Sequence, residues 1–120
     1  RNWAKPDAVV GLLRAFHEGR GLSGASRALL LQWMTQTQTG LHRIKGRLPA
    51  SVVVAHKTGT SNTVEGMTRA TNDVGIITLP DGRHLAVAIF VSDSKADADT
   101  REGVIARVAR EAYDWAISPR

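Results

Sequence analysis

The sequence predicts an α+β fold in which an antiparallel sheet is flanked by helices. Three observations predict it. Apolar residues recur at helical spacing in the opening segment and again near the end. After Pro49 the pattern changes to compact β-branched runs. Pro80-Asp81-Gly82 then separates two such runs as a hairpin turn, with Pro presetting φ and Gly accepting the left-handed position.

Taken in order, Pro6 suits the first turn of a helix, where its missing N–H has no intrahelical partner to lose. Val9, Leu12, Leu13 and Phe16 make its apolar stripe, and Gly19 and Gly21 close it. Ser23 or Ser26 caps a second helix with the stripe Leu29, Leu30, Trp33 and Met34. The polar run 35–40 is an exit loop, so residues 1–40 form a helical segment and 41–120 the strands and the C-terminal helix. Ser51 to His56 reads as a buried strand, Asp73 to Leu79 as a second and His84 to Val91 as the return strand. Residues 97–100 cap a last helix with the stripe Ile105, Val108, Ala112 and Trp115, and Pro119 lies beyond its end. The three tryptophans fall on or beside these stripes and read as core.

The order is thus two helices, three strands and one helix. Three strands under one covering helix leave a sheet edge and part of a face without a partner, and the leading helices have few strands to cover. That imbalance is expected of half of a larger fold, as is an opening Arg1-Asn2-Trp3 that lacks Met.

Composition excludes several classes. The 16 Lys and Arg against 11 Asp and Glu leave a net charge of +5, but the cations are scattered and aromatics are few. A nucleic-acid module would cluster them, so a solvated cationic surface is the expectation, with no nucleic-acid partner. There is no cysteine, hence no disulfide framework or thiolate chemistry. No apolar run approaches the ~20 residues that span a bilayer, and no membrane role is expected. His17, His42, His56 and His84 lack ligand spacing, so neither a metal nor another cofactor is expected. Asp93, Asp97 and Asp99 lack the glycine and glutamate of a calcium loop.

The chemistry concentrates in His56-Lys57-Thr58-Gly59-Thr60-Ser61. A lysine after a buried strand puts an ammonium at the sheet edge, and a hydroxyl follows it. Gly59 removes a side chain, so a ligand backbone can approach and add to the strand. Thr60 offers a backbone N–H and a hydroxyl nearby, and together these groups can hold an anion beside a reacting carbonyl. His56, next to Lys57, points to the opposite sheet face and reads as structural.

Lys57-Thr58-Gly59 resembles the third signature of class A serine β-lactamases and penicillin-binding proteins. Gln32-Trp33-Met34-Thr35, Thr39-Gly40, Leu48-Pro49-Ala50, Ala70 to Ile77 and Leu79-Pro80-Asp81-Gly82 agree with it in order, across essentially the whole chain. The pattern is similar to the C-terminal half of class A enzymes, in particular the subgroup that includes extended-spectrum cephalosporinases. The resemblance implies a periplasmic enzyme that opens β-lactam rings through a serine acyl-enzyme, and therefore a β-lactam substrate or inhibitor as ligand. It implies that Lys57 supplies positive potential for the substrate carboxylate, that the Thr58 and Thr60 hydroxyls bind it, and that the Thr60 N–H is one of two oxyanion-hole donors. Gly59 and Ser61 would line the strand beside the substrate side chain. Many members use an arginine on the next strand; the matching place before Gly75 holds Val74, and Arg43 stands where other members put a substitute. Arg43 is therefore the candidate for support of the substrate carboxylate, with a solvent-facing loop arginine as the alternative reading; Arg69, placed between the strands, is the rival.

The resemblance also implies what this stretch lacks. No Ser-x-x-Lys precedes Lys57, and Ser-Asp-Asn and the water-activating Glu are not here. The missing N-terminal half of the same fold would supply them, and the 120 residues alone should not turn over substrate. Ser92-Asp93-Ser94-Lys95 is a formal Ser-x-x-Lys, but it leaves a strand instead of starting a helix, and reads as a decoy. Two other readings remain: the end of a penicillin-binding protein acting on peptidoglycan peptides, and a non-catalytic binding domain that keeps the carboxylate grip.

Overall fold

A computed structural model of the chain describes residues 3–119; Arg1, Asn2 and Arg120 lie outside the described residues. Helix α1 (Pro6–His17) starts on Pro6, and Asp7 in its first turn accepts the Ala8 N–H at 2.8 Å. Gly19, at φ +77°, turns the chain away at its end. Helix α2 (Gly24–Thr35) is capped by Ser23, whose hydroxyl accepts the Ser26 N–H. Arg27 of α2 reaches back to donate to the Phe16 and His17 carbonyls at 2.9 and 2.8 Å, tying the start of α2 to the end of α1.

A 3-10 turn (Ile44–Arg47) leads to the sheet. Strands β1 (Val54–Thr60), β2 (Thr63–Val64), β3 (Met67–Thr78) and β4 (His84–Ser94) pair antiparallel, with β3 between β1 and β4 and β2 folded onto the start of β3. Helix α3 (Ala98–Ile117) closes the chain, capped by Asp97. Gly82, at φ +88°, forms the β3–β4 turn as the Pro-Asp-Gly signal predicts. A Cβ at Gly75 would lie 2.5 Å from the Ala55 carbonyl oxygen and 2.8 Å from the His56 Cβ, so only glycine lets β1 and β3 approach there.

The sheet separates two cores. On one face, Val54 and Ile77 pack with Ile44, Leu79 and Val87 against Ile105, Ala109, Tyr113 and Ala116 of α3. On the other, Ala55 and Ile76 meet Leu13, Phe16 and Met34 of α1 and α2.

Several expectations need correction. The first strand runs from Val54 to Thr60 instead of Ser51 to His56. Val52 is held in a turn by its N–H to the Pro49 carbonyl, and the ladder continues through Lys57-Thr58-Gly59-Thr60 because the long β3 offers partners that far. The second strand starts at Met67, not Asp73, and β2 makes a fourth. Its turn uses Glu65 and Gly66, both at positive φ, a two-residue hairpin hidden from sequence because Glu is not a usual first residue there. Arg69 therefore lies on β3 and not in a loop. The return strand extends to Ser94.

The helix stripes are rotated as well. On α3 the inner face is Ile105, Ala106, Ala109, Tyr113 and Ala116, while Val108 and Trp115 are exposed. Small residues let the helix approach closely: a Cβ on Gly46 of the 3-10 turn would sit 3.1 Å from the Ala106 Cβ. Ranking residues by hydrophobicity selects Val and Trp, whereas close approach selects Ala. Leu12, Leu29, Leu30 and Trp33 are likewise exposed, as is Trp3, so none of the three tryptophans is core.

Candidate functional site

The bonding parity of β1 decides what its free edge offers. Thr78 donates to the Val53 carbonyl and Ser61 to the Ala70 carbonyl, so alternate residues 53 to 61 turn their main-chain groups toward β3. The main-chain groups of His56, Thr58 and Thr60 face away from the ladder. A loop covers the first part of that edge: Thr37 donates its hydroxyl to the His56 carbonyl at 2.9 Å, and the Thr39 and Thr58 hydroxyls share a hydrogen bond at 2.8 Å. Gly40, at φ +60°, lets this loop sit against Thr58 and Arg43, which a Cβ would strike. Beyond it the Thr60 edge is open, and nothing lies within 4 Å of where a Cβ on Gly59 would be.

Lys57, Thr58, Gly59 and Thr60 are therefore consecutive on one strand at that opening, with Ser61 just past its end. The exposed Lys57 Nζ donates to the Thr58 carbonyl at 2.6 Å. The Ser61 hydroxyl is turned inward, donating to the Asn62 carbonyl at 3.2 Å and accepting the Ala70 N–H at 3.0 Å.

Arg43 reaches the same place from the loop before the 3-10 turn. It is only 7% exposed, and its guanidinium donates to the Gly59 and Asn72 carbonyls, at 3.2 and 2.9 Å, and to the Thr60 hydroxyl at 2.7 Å. Its Nε donates to Glu102 of α3 at 2.9 Å, an ion pair largely shielded from solvent. Since the Thr60 oxygen accepts from Arg43, the Thr60 hydroxyl hydrogen is free to donate outward, and the neighbouring cation polarises it. Arg43 and Lys57 thus place positive charge on a ledge lined with hydroxyls, suited to an anion.

The other sequence candidates are elsewhere. Arg69 is exposed on β3, 3.8 Å from Asp93. Val74 pairs with Lys57 across the ladder and packs toward α1 and α2. Ser92 pairs with Ala70 on β4, and among the described residues no hydrogen bond joins it to Lys95. The His17 and His84 ring centroids lie 4.4 Å apart with the planes tilted by 43°, but among the described residues no group of three or more acids and histidines gathers as metal ligands. Nor is any described helix long and apolar enough to cross a membrane.

Sequence reasoning missed Thr37, Thr39, Asn72, Asp73 and Glu102. Each acts on a residue 17 or more positions away, and no local pattern encodes such a contact. Most consequential is a pair beneath the ledge. His56 and Asp73 are fully buried, with the imidazole Nδ1 3.0 Å from both carboxylate oxygens. Asp73 also accepts the Ile44 N–H at 3.2 Å.

The chain is similar to known β-lactamases along nearly its whole length. The model of the β-lactamase enzyme family matches residues 1–116. The extended-spectrum β-lactamase PER-1 of Pseudomonas aeruginosa is 50% identical over 98% of this chain and 38% of its own. A β-lactamase of Bacteroides uniformis is 44% identical over 95% of this chain and 39% of its own. Among solved structures, a β-lactamase from Chitinophaga pinensis superposes with a TM-score of 0.93 at 55% identity, over 96% of this chain and 43% of that one. The TLA-3 extended-spectrum β-lactamase does so with a TM-score of 0.96 at 48% identity, over 98% and 43%. The chain spans about two fifths of the length of these relatives. A family match over nearly the whole sequence, with the same fold in class A neighbours, places the chain in the β-lactamase enzyme family, on its class A branch.

Proposed function

We propose that this chain forms the substrate-gripping wall of a class A serine β-lactamase, a periplasmic enzyme that hydrolyses β-lactam antibiotics and so confers resistance to them. The observation that carries the reading is the Arg43 guanidinium on the Thr60 hydroxyl beside exposed Lys57. A β-lactam carries a carboxylate next to the ring that is opened. The Thr58 and Thr60 hydroxyls would take that carboxylate in the field of Lys57 and Arg43. The Thr60 N–H, which faces off the ladder, would donate to the lactam oxygen as it becomes an oxyanion. Gly59 leaves room for the substrate amide to lie along the strand.

In this reading the serine nucleophile and the water-activating base come from the rest of the fold. Residues 1–40 belong to its helical part, 41–120 to its sheet part. The relatives named extended-spectrum β-lactamases favour an extended β-lactam spectrum for this protein too.

The test is denaturing mass spectrometry of the intact protein, digested after brief exposure to a slowly released β-lactam, with hydrolysis assayed in parallel. The acyl adduct is expected outside residues 1–120. Arg43→Ala should lower kcat/KM about 10- to 100-fold, the loss of a charge-assisted contact. An adduct on Ser92, or an unchanged kcat/KM in the Arg43 variant, would sink the proposal.

A further inference from the structure

The His56–Asp73 pair is a poor device for stability alone. Two ionisable side chains are fully buried, and with Nδ1 donating to the carboxylate, the His56 Nε2 is left without a partner among the described residues. Apolar side chains of similar volume would fill the space without an orphaned ring nitrogen. The pair instead joins three separate segments. His56 precedes Lys57 on β1, Asp73 follows Asn72 on β3, and Ile44, whose N–H the same carboxylate accepts, follows Arg43 at the start of the 3-10 turn. Each buried member is thus one residue from a group at the ledge: Lys57 with its exposed ammonium, Asn72 with the carbonyl that Arg43 binds, and Arg43 itself.

We propose that His56 and Asp73 are positioning residues: by tying β1, β3 and the 3-10 turn from below, they set the Arg43 guanidinium against Thr60 and hold the ledge to one geometry. The inference rests on the function proposed above for that ledge. The physical warrant is that a binding group works only when its supporting shell locks it to a fraction of an ångström. Arg43 is anchored from above by Glu102 and from below by this tie, which fixes where its chain enters the turn.

The test uses the intact protein that carries this chain, with three variants. His56→Leu removes the donor, isosteric Asp73→Asn removes one acceptor, and His56→Asn keeps an N–H near the Nδ1 position. Two readouts separate this proposal from the functional reading. The Nε–H resonance of Arg43 in a 15N spectrum reports the guanidinium without any substrate, and KM and kcat for a β-lactam report the ledge. In the parent protein the Arg43 Nε–H should be slow to exchange, and His56 should show the Nδ1-protonated form. His56→Leu and Asp73→Asn should lose that Arg43 signal and raise KM about tenfold with kcat within about twofold, while His56→Asn recovers both. The proposal is overturned if a folded variant of either kind keeps the Arg43 signal and KM, or if kcat falls with KM unchanged. Should His56→Leu fail to fold, Asp73→Asn decides by the same readouts. A parent protein that hydrolyses no β-lactam would overturn the functional reading alone, because the Arg43 resonance still decides the tie.

Discussion

The two faces of the sheet are built on opposite terms. Toward α3, Ile44, Val54, Ile77, Ile105 and Ala109 are essentially solvent-free, and a continuous core joins the 3-10 turn, the strands and the helix. Toward α1 and α2 only Leu13, Phe16, Met34, Ala55 and Ile76 are buried, while Leu12 and Trp33 remain 69% and 60% exposed. Leu12, Leu13, Phe16, Leu22, Leu30 and Met34 line an open apolar hollow of about 380 Å³ on that side. A helix apolar on both its sheet-facing and outward faces is built to be buried on both. The first core is closed over by α3, whose outer side still leaves Val104, Val108 and Trp115 exposed, and the second face matches a fold that continues beyond these residues, as in relatives of more than twice this length.

That contrast can be broken by mutation. The largest expected effect is Ile77→Ala, which empties a solvent-free site and should cost about 3–4 kcal/mol in urea unfolding. Leu30→Ala in the isolated chain should change stability by no more than about 0.5 kcal/mol, since this side chain is already partly in water. Equal losses from the two would show that the faces are alike after all. If the rest of the fold covers the hollow, the same Leu30→Ala in the intact protein should cost about 2 kcal/mol.

A smaller effect sharpens the same comparison at the helix starts. Ser23→Ala removes the hydroxyl that caps α2 and should cost about 1 kcal/mol, measured by the urea midpoint. No loss would mean that α2 is frayed in solution and that its cap has nothing to hold. The smallest effect concerns α3. Hydrogen bonds from the Thr100 side chain and main chain hold the Asp97 carboxyl below its ordinary range. A depressed carboxylate stabilises the fold above its unfolded value, and that contribution fades as pH falls through the folded one. Asp97→Asn should flatten the acid limb of a stability–pH profile, and because Asn caps a helix about as well as Asp, neutral stability should change little. An unchanged acid limb would assign that slope to other carboxylates.

Legibility in the sequence followed the range of the interactions involved. Helix starts at Pro6 and Asp97, the Pro-Asp-Gly turn and the strand-forming run around Val54 are local signals, and each was readable because backbone preference acts over a few residues. The Lys57-Thr58-Gly59 ledge was readable for the same reason, since its groups are consecutive on one strand. What failed was facing and reach. Val108 and Ala109 both fit a helical spacing, and hydrophobicity alone selects the larger residue. Close approach of α3 to the sheet and the 3-10 turn selects the smaller one.

The arginine question divides along the same line. Spacing admitted both Arg43 and Arg69 as neighbours of the ledge. Only the folded chain carries Arg43 to Thr60 and Glu102 and leaves Arg69 beside Asp93 on the solvent side of β3. By itself the sequence determined the α+β class, the order of its three α-helices and three longer strands, and the strand that carries Lys57-Thr58-Gly59-Thr60. Tertiary structure decided which helix faces are buried, which arginine reaches the Thr60 hydroxyl, and that His56 and Asp73 lie joined beneath it. The reason is that hydrogen-bonding and packing partners 17 to 59 residues apart are set by where the sheet brings them, and no stretch of local sequence records that meeting.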